Sequence, residues 1–182
     1  MIKNKKIALG VTGGISAYKA ISVANTLTKL GAKVQVIMTK EALKFLTPLS
    51  FEVLTHNKVV TDMFEEQNTD YVGHIHYSQN CDLMVIVPAT ANIIGKAANG
   101  IADDMLSSTI IATNKPIVFV PAMNEYMYNN PIVQDNIEKL KKYKHKFIEP
   151  ITGPLACGSQ GVGKLAETKT IIEFINNILQ EG

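Results

Sequence analysis

The side chains able to do chemistry gather in a few short stretches. His74-Ile75-His76 offers imidazoles, which titrate near neutral pH and suit a general base. Read as a strand, the alternate residues share one face and invite a metal ion, but no third ligand lies at a recognisable spacing. A solvated or core histidine is the ordinary alternative. Cys157, inside Ala156-Cys157-Gly158, reads either as a small buried filler or as a reactive thiol given access by a glycine-rich loop. Gly10-Val11-Thr12-Gly13-Gly14-Ile15-Ser16 joins an aliphatic run to a helical one. Its glycines let the backbone approach an anion, free N–H groups at the helix start point toward that anion, and Ser16 can cap the helix and donate to a phosphate oxygen. The same glycines could also serve only a tight strand–helix turn.

Spacing narrows the choice of nucleotide. The loop departs from G-x-G-x-x-G, and the second strand ends at Thr39-Lys40, where a dinucleotide enzyme wants an acid for the ribose. A mononucleotide phosphate fits better. Gly158-Ser159-Gln160-Gly161-Val162-Gly163-Lys164 has P-loop spacing up to the lysine, yet Leu165 stands where a hydroxyl must ligate magnesium. The preceding Pro150-Ile151-Thr152-Gly153-Pro154 does not read as a buried strand, so ATP hydrolysis is rejected. The glycines read instead as hinges of a flap over a ligand.

The elements that must hold these groups alternate along the chain. Strands are expected at Lys6 to Val11, Val34 to Met38, Cys81 to Val87 closed by Pro88, and Ile117 to Val120 closed by Pro121, with a late edge strand at Phe147-Ile148. Helices are expected from Ala17 to Leu30 with Gly31 as the stop, at Ala42 to Leu46, Pro48 to Leu54, Ala91 to Ala98, Asp103 to Ala112 and Pro131 to about Lys142, and from Thr168 onward. Asp62 to Gly73 and Pro150 to Ala166 read as loops, the second long enough to suggest function. Nearly all-apolar strands between helices imply an α/β fold: a three-layer, doubly wound parallel sheet (Rossmann-like or flavodoxin-like) in a single domain over 1–182. Ligands in such sheets bind beyond the carboxyl ends of the strands, at Thr12-Gly13-Gly14, Thr39-Lys40, Pro88-Ala89-Thr90 and Pro121-Ala122-Met123.

Composition sets the outer bounds. A chain of 182 residues with 46% hydrophobic residues can bury a core without staples. A net charge of +2 argues against a dedicated nucleic-acid binder, and the lysines between Lys139 and Lys146 read as a solvated helix end. The two cysteines, Cys81 and Cys157, give no zinc or disulfide framework. No signal peptide or membrane span is read, so a cytoplasmic location is expected.

Taken together and in order, Thr12-Gly13-Gly14-Ile15-Ser16, His74-Ile75, Pro88-Ala89-Thr90-Ala91-Asn92, Pro121-Ala122-Met123-Asn124 with Met127, and Ala156-Cys157-Gly158 resemble the homo-oligomeric flavin-containing cysteine decarboxylases over nearly the whole chain. The branch most similar acts on 4'-phosphopantothenoylcysteine in coenzyme A biosynthesis. The resemblance implies FMN as cofactor, with its phosphate end held by Gly13, Gly14, Ile15, Ser16 and Thr39, and its ring lined by Thr90, Ala91, Asn92, Ala122 and Met123. It implies His74 as the catalytic histidine, Asn124 as the grip on the substrate carboxylate, and Ala156, Cys157 and Gly158 as a substrate flap with its catalytic cysteine. It further implies sites between subunits of a homotrimer, or of a dodecamer of trimers, with no nucleic-acid or membrane partner. The expected reaction is decarboxylation to 4'-phosphopantetheine through a transient thioaldehyde and an enethiolate. Oxidising the thiol supplies the electron sink that the carbanion otherwise lacks, and the flavin performs that step. Tyr77, Asn80-Cys81-Asp82, Tyr128 and Lys164 depart from the family's usual residues; lysine at 164 lacks the planar fork of arginine. Two alternatives share the fold: a peptidyl-cysteine decarboxylase, which generally lacks the Ala-Cys-Gly flap, and a prenyl-flavin transferase. A third, a non-catalytic FMN-binding regulatory subunit, is disfavoured by the ending Gln180-Glu181-Gly182, which carries no acidic tail.

Overall fold

A computed structural model of the chain describes residues 2–64, 73–154, 158 and 160–181. Short aliphatic runs, bounded by turn residues and too short for buried helices, form β1 (Lys6–Val11), β2 (Lys33–Met38), β3 (Leu83–Ala89) and β4 (Ile117–Pro121), with β5 (Lys146–Phe147) at one edge. They pair in the order β2-β1-β3-β4-β5, and each pair is parallel. The chain winds outward from β1 to β2, then returns to β3 and continues the other way. The reversal lies between β1 and β3, where a doubly wound sheet opens its ligand crevice.

Side chains alternate across the strands, so each face has its own core. On one face Leu9, Val11, Val36, Val85, Val87 and Val120 meet helices α1 (Ala17–Lys29), α2 (Pro48–Thr55) and α8 (Thr168–Glu181). On the other, Ala8, Ile37, Met84, Ile86 and Phe119 meet α4 (Ala91–Asn99), α5 (Met105–Ala112) and α7 (Pro131–Lys142). Three layers result, as the strand–helix alternation requires. A 3-10 turn spans Ala42–Lys44. The lysines of the basic run lie in and just after the last turn of α7, solvent-facing at Lys139, Lys141, Lys142 and Lys144.

Several elements differ from the sequence expectation. His74-Ile75-His76 lies in helix α3 (Gly73–Gln79), not a strand, so alternation does not place its imidazoles on one face. β3 begins at Leu83 and passes through Pro88, joined by a cis Val87–Pro88 bond, to end at Ala89. The Pro150 to Ala166 stretch contains an antiparallel pair, β6 (Ile151–Pro154) with β7 (Gln160–Lys164), rather than loop alone. Its strands alternate in exposure instead of being buried. The P-loop-like lysine therefore ends a hairpin strand and precedes no phosphate-binding helix turn. A short helix, α6 (Glu125–Tyr128), stands unannounced after Asn124, whose side chain accepts from Tyr126 N at 2.9 Å and caps it. Ser16 occupies the N-cap of α1 but makes no capping bond with its side chain.

Candidate flavin cleft at the strand tips

Beyond the carboxyl ends of β1, β3 and β4 lies a cleft of about 560 Å³. The segments that follow each strand build its walls. Gly13, Gly14, Ile15 and Ser16 come from the β1–α1 turn, Pro88, Thr90 and Ala91 from the end of β3, and Ala122, Met123 and Asn124 from the end of β4. Pro154, Gly163, Lys164 and Leu165 from the β6–β7 hairpin close the outer side. Eight of the expected cofactor positions thus converge (Gly13, Gly14, Ile15, Ser16, Thr90, Ala91, Ala122 and Met123). Thr39 and Asn92 instead line a neighbouring cavity of about 210 Å³, which shares Gly13, Thr90, Ala91 and Met127 with the larger one.

The β1–α1 turn is built for an anion. Among the described residues, the amides of Gly13, Gly14, Ile15 and Ser16 donate to no acceptor; the first amides engaged are those of Ala17, to Gly14 O, and Lys19, to Ser16 O. Unpaired N–H groups at the start of a 13-residue helix carry its positive dipole end. The first turn of α1 has no acidic side chain to compete. Gly13 is required by close approach: a Cβ there would sit 2.3 Å from the Cβ of Glu41. The charged side chains on the larger cleft are both cations, Lys19 and Lys164. Lys19 lies three residues past Ser16, one helical turn on, a spacing that could have marked it from sequence. It also reaches to 3.9 Å from Glu167.

Hydrogen bonds tie the strand tips into one rim. Thr12 Oγ1 donates to Pro88 O at 2.7 Å and accepts from Thr90 N at 3.3 Å. Thr90 Oγ1 accepts from Ile93 N at 3.4 Å, capping α4. Ala122 N donates to Ala89 O at 3.2 Å, and Met123 N to Gly163 O at 3.1 Å. Gly163 permits that last contact because its φ is +143° and a Cβ would fall 2.1 Å from Met123 O. At the hairpin base, Tyr128 Oη donates to the Glu149 carboxylate. Burial and that carboxylate push the Tyr128 hydroxyl well above the usual phenol range.

Around the smaller cavity, Asp104 caps α5 through Ser107 N at 2.8 Å and receives Lys96 Nζ at 2.7 Å. Partial burial raises the Asp104 pKa, but the Lys96 ammonium and the Ser107 amide outweigh it and hold the carboxyl below its ordinary value. Lys96 also pairs with Asp103 at 2.6 Å.

Among the described residues, the expected catalytic groups do not all line the cleft. Asn124 lines the cleft. His74 is absent from the lining and sits half-buried near the start of α3, with its Nδ1 buried and without a hydrogen-bond partner among the described residues. Gly158 is exposed with φ +86°, while Ala156 and Cys157 lie outside the described residues. Among the described residues, no cluster of His, Cys, Asp and Glu could hold a metal ion. No helix among them is long and apolar enough to cross a membrane.

A family model described as Flavoprotein matches residues 1–180. The chain belongs to the flavoprotein family. This flavoprotein is 46% identical over 174 residues to the coenzyme A biosynthesis bifunctional protein CoaBC of Bacillus subtilis, covering 96% of the chain but 43% of that protein. It is 43% identical to a Streptococcus mutans protein named probable phosphopantothenoylcysteine decarboxylase, covering 96% of the chain and 99% of that protein. The flavoprotein thus spans less than half of the bifunctional relatives and nearly all of the shorter one. Among solved structures, it matches a PPC decarboxylase variant complexed with pantothenoylaminoethenethiol, with a TM-score of 0.88, 30% identity and coverage of 98% and 100% of the two chains. It also matches the FMN-dependent cysteine decarboxylase SpaF, with a TM-score of 0.83, 30% identity and 96% coverage of each chain.

Proposed function

We propose that this flavoprotein binds FMN and decarboxylates 4'-phosphopantothenoylcysteine to 4'-phosphopantetheine in coenzyme A biosynthesis, as one domain over 1–182, in the cytoplasm. The observation that carries the reading is the row of unpaired amides at Gly13 to Ser16 facing a cleft walled by the β3 and β4 tips. A phosphate monoester satisfies those donors, and a flat apolar ring suits Pro88, Ala91, Ala122 and Met123 beside it. The names of the relatives support the same chemistry, as does the presence of Ala156-Cys157-Gly158, which favours this substrate over a peptidyl cysteine.

Bound FMN supplies reversible two-electron chemistry at the substrate's thiol-bearing carbon. The chain's own residues do the rest. Gly13, Gly14, Ile15, Ser16 and Thr39 hold the phosphate end; Thr90, Ala91, Asn92, Ala122 and Met123 line the ring. Asn124 orients the carboxylate without a positive charge that would favour its retention. Cys157, between Ala156 and Gly158, delivers a proton in the closing reduction. His74 takes the thiol proton. Because His74 does not line the cleft of its own chain, we read it as serving the cleft of a neighbour in a trimer, or in a dodecamer of trimers.

The test uses purified protein. It should carry yellow flavin absorbance and release carbon dioxide from phosphopantothenoylcysteine with phosphopantetheine as product. A flavin-bound protein that leaves this substrate intact, yet decarboxylates a peptide with C-terminal cysteine, would overturn the substrate assignment. A colourless protein that gains no flavin from added FMN would overturn the cofactor.

A further inference from the structure

The backbone ladder between β1 and β3 stops short of the cleft. Its register runs through Ile7↔Leu83, Ala8↔Met84 and Leu9↔Val85 to Gly10↔Ile86. Beyond that pair β3 reaches Pro88, which has no N–H to donate, so the rung that would use that N–H is lost. At that point the Thr12 hydroxyl does what the missing rung would do: it donates to Pro88 O at 2.7 Å and accepts from Thr90 N at 3.3 Å. Thr12 is 2% exposed, so water does not stand in for it.

We propose that Thr12 is a positioning residue for the flavin, its hydroxyl fixing the spacing between the anion-gripping amides and the segment that lines the ring. The inference rests on the FMN reading above. Thr12 leads directly into Gly13–Ser16, whose amides are unpaired, while Thr90 opens the Ala91–Asn92 segment and caps α4. The hydroxyl therefore joins the two parts of the rim that must grip opposite ends of one ligand. Rigid ends a fixed distance apart are pre-organised, and a ligand that spans them loses affinity when the spacing relaxes. Valine keeps the γ-methyl and replaces the hydroxyl, whereas serine keeps the hydroxyl and loses the methyl, so the two variants separate the groups.

The experiment compares Thr12→Val and Thr12→Ser holoproteins with the parent. Flavin release on dilution is followed by the recovery of free-FMN fluorescence, and the unfolding midpoint is read in saturating FMN. The dissociation constant of Thr12→Val should rise by at least about tenfold, some 1.4 kcal/mol, with an altered visible absorbance band, while Thr12→Ser stays within about threefold. A hydroxyl that served stability alone would lower the midpoint and leave affinity and spectrum unchanged, which overturns the proposal. Equal weakening in both variants also overturns it, since serine keeps the hydroxyl and should then keep the flavin. Thr12→Ala gives the same contrast should the valine variant precipitate. A parent protein that binds no FMN defeats the cofactor reading itself, an outcome distinct from any of these.

Discussion

At the scale of single residues, the proposed base lies apart from the proposed cofactor-binding groups. Among the described residues, the buried Nδ1 of His74 has no hydrogen-bond partner, and His74 does not line the cleft. Replacing it, as in His74→Asn, should leave flavin absorbance intact and cut turnover by about 100-fold or more, measured as carbon dioxide release. Undiminished turnover would remove it as the base. Lys96 offers a prediction about stability. Its ammonium, 17% exposed, holds Asp104 below the ordinary carboxylate value of 3.8. The folded value lies under the unfolded one, so the pair stabilises the fold above about pH 4, and the contribution is lost as pH falls through the depressed value. Urea unfolding of Lys96→Met should therefore show a deficit of about 1 to 2 kcal/mol that is level from pH 7 down to about pH 5 and narrows as the pH falls below about 4. A deficit constant across that range would mean that packing, not charge, explains it.

At the scale of elements, the hairpin seals the cleft by backbone approach. Gly163→Ala must place its Cβ against Met123 O in a left-handed backbone, at a cost of about 2 kcal/mol or more. For Gly161→Ala the nearest atoms belong to the Glu125 carboxylate, the far end of a side chain that can swing, and the cost should be under about 1 kcal/mol. Thermal unfolding of the two variants in parallel checks the ranking. The sheet was readable in advance because buried parallel strands are uninterrupted aliphatic runs such as Leu83-Met84-Val85-Ile86-Val87. The hairpin was not, since Thr152-Gly153-Pro154 and Gly161-Val162-Gly163 have poor strand propensity and pair only with each other. Helix α3 was hidden for a related reason: seven residues with Ser78 as the buried one show no apolar stripe, and two histidines mimic strand alternation. The turn at Gly13-Gly14 was legible from glycines placed between an aliphatic run and a helical one, whereas the bridge made by Thr12 depends on Pro88, adjacent in space but 76 residues away in sequence.

At the scale of the whole molecule, the surface argues for self-association. Leu49 and Val53 on α2 are 64% and 62% exposed, and Ile132 on α7 is 71% exposed, large apolar groups set on helices that pack well by their other faces. Light scattering of the purified chain should give the mass of a trimer or of a multiple of three. A monomer that still turns over substrate would show that His74 acts within its own chain.

The sulfur of Cys81 has a practical consequence. It is buried two residues before β3, 6% exposed, with burial foremost in pushing its thiol above the ordinary range. Iodoacetamide attacks thiolates, so at neutral pH this sulfur should stay silent in the folded protein. With two cysteines in the sequence, every carboxamidomethyl group found by intact mass then reports on Cys157 alone. Protection of that single label by a substrate analogue would give a titration of active-site occupancy that needs neither turnover nor colour.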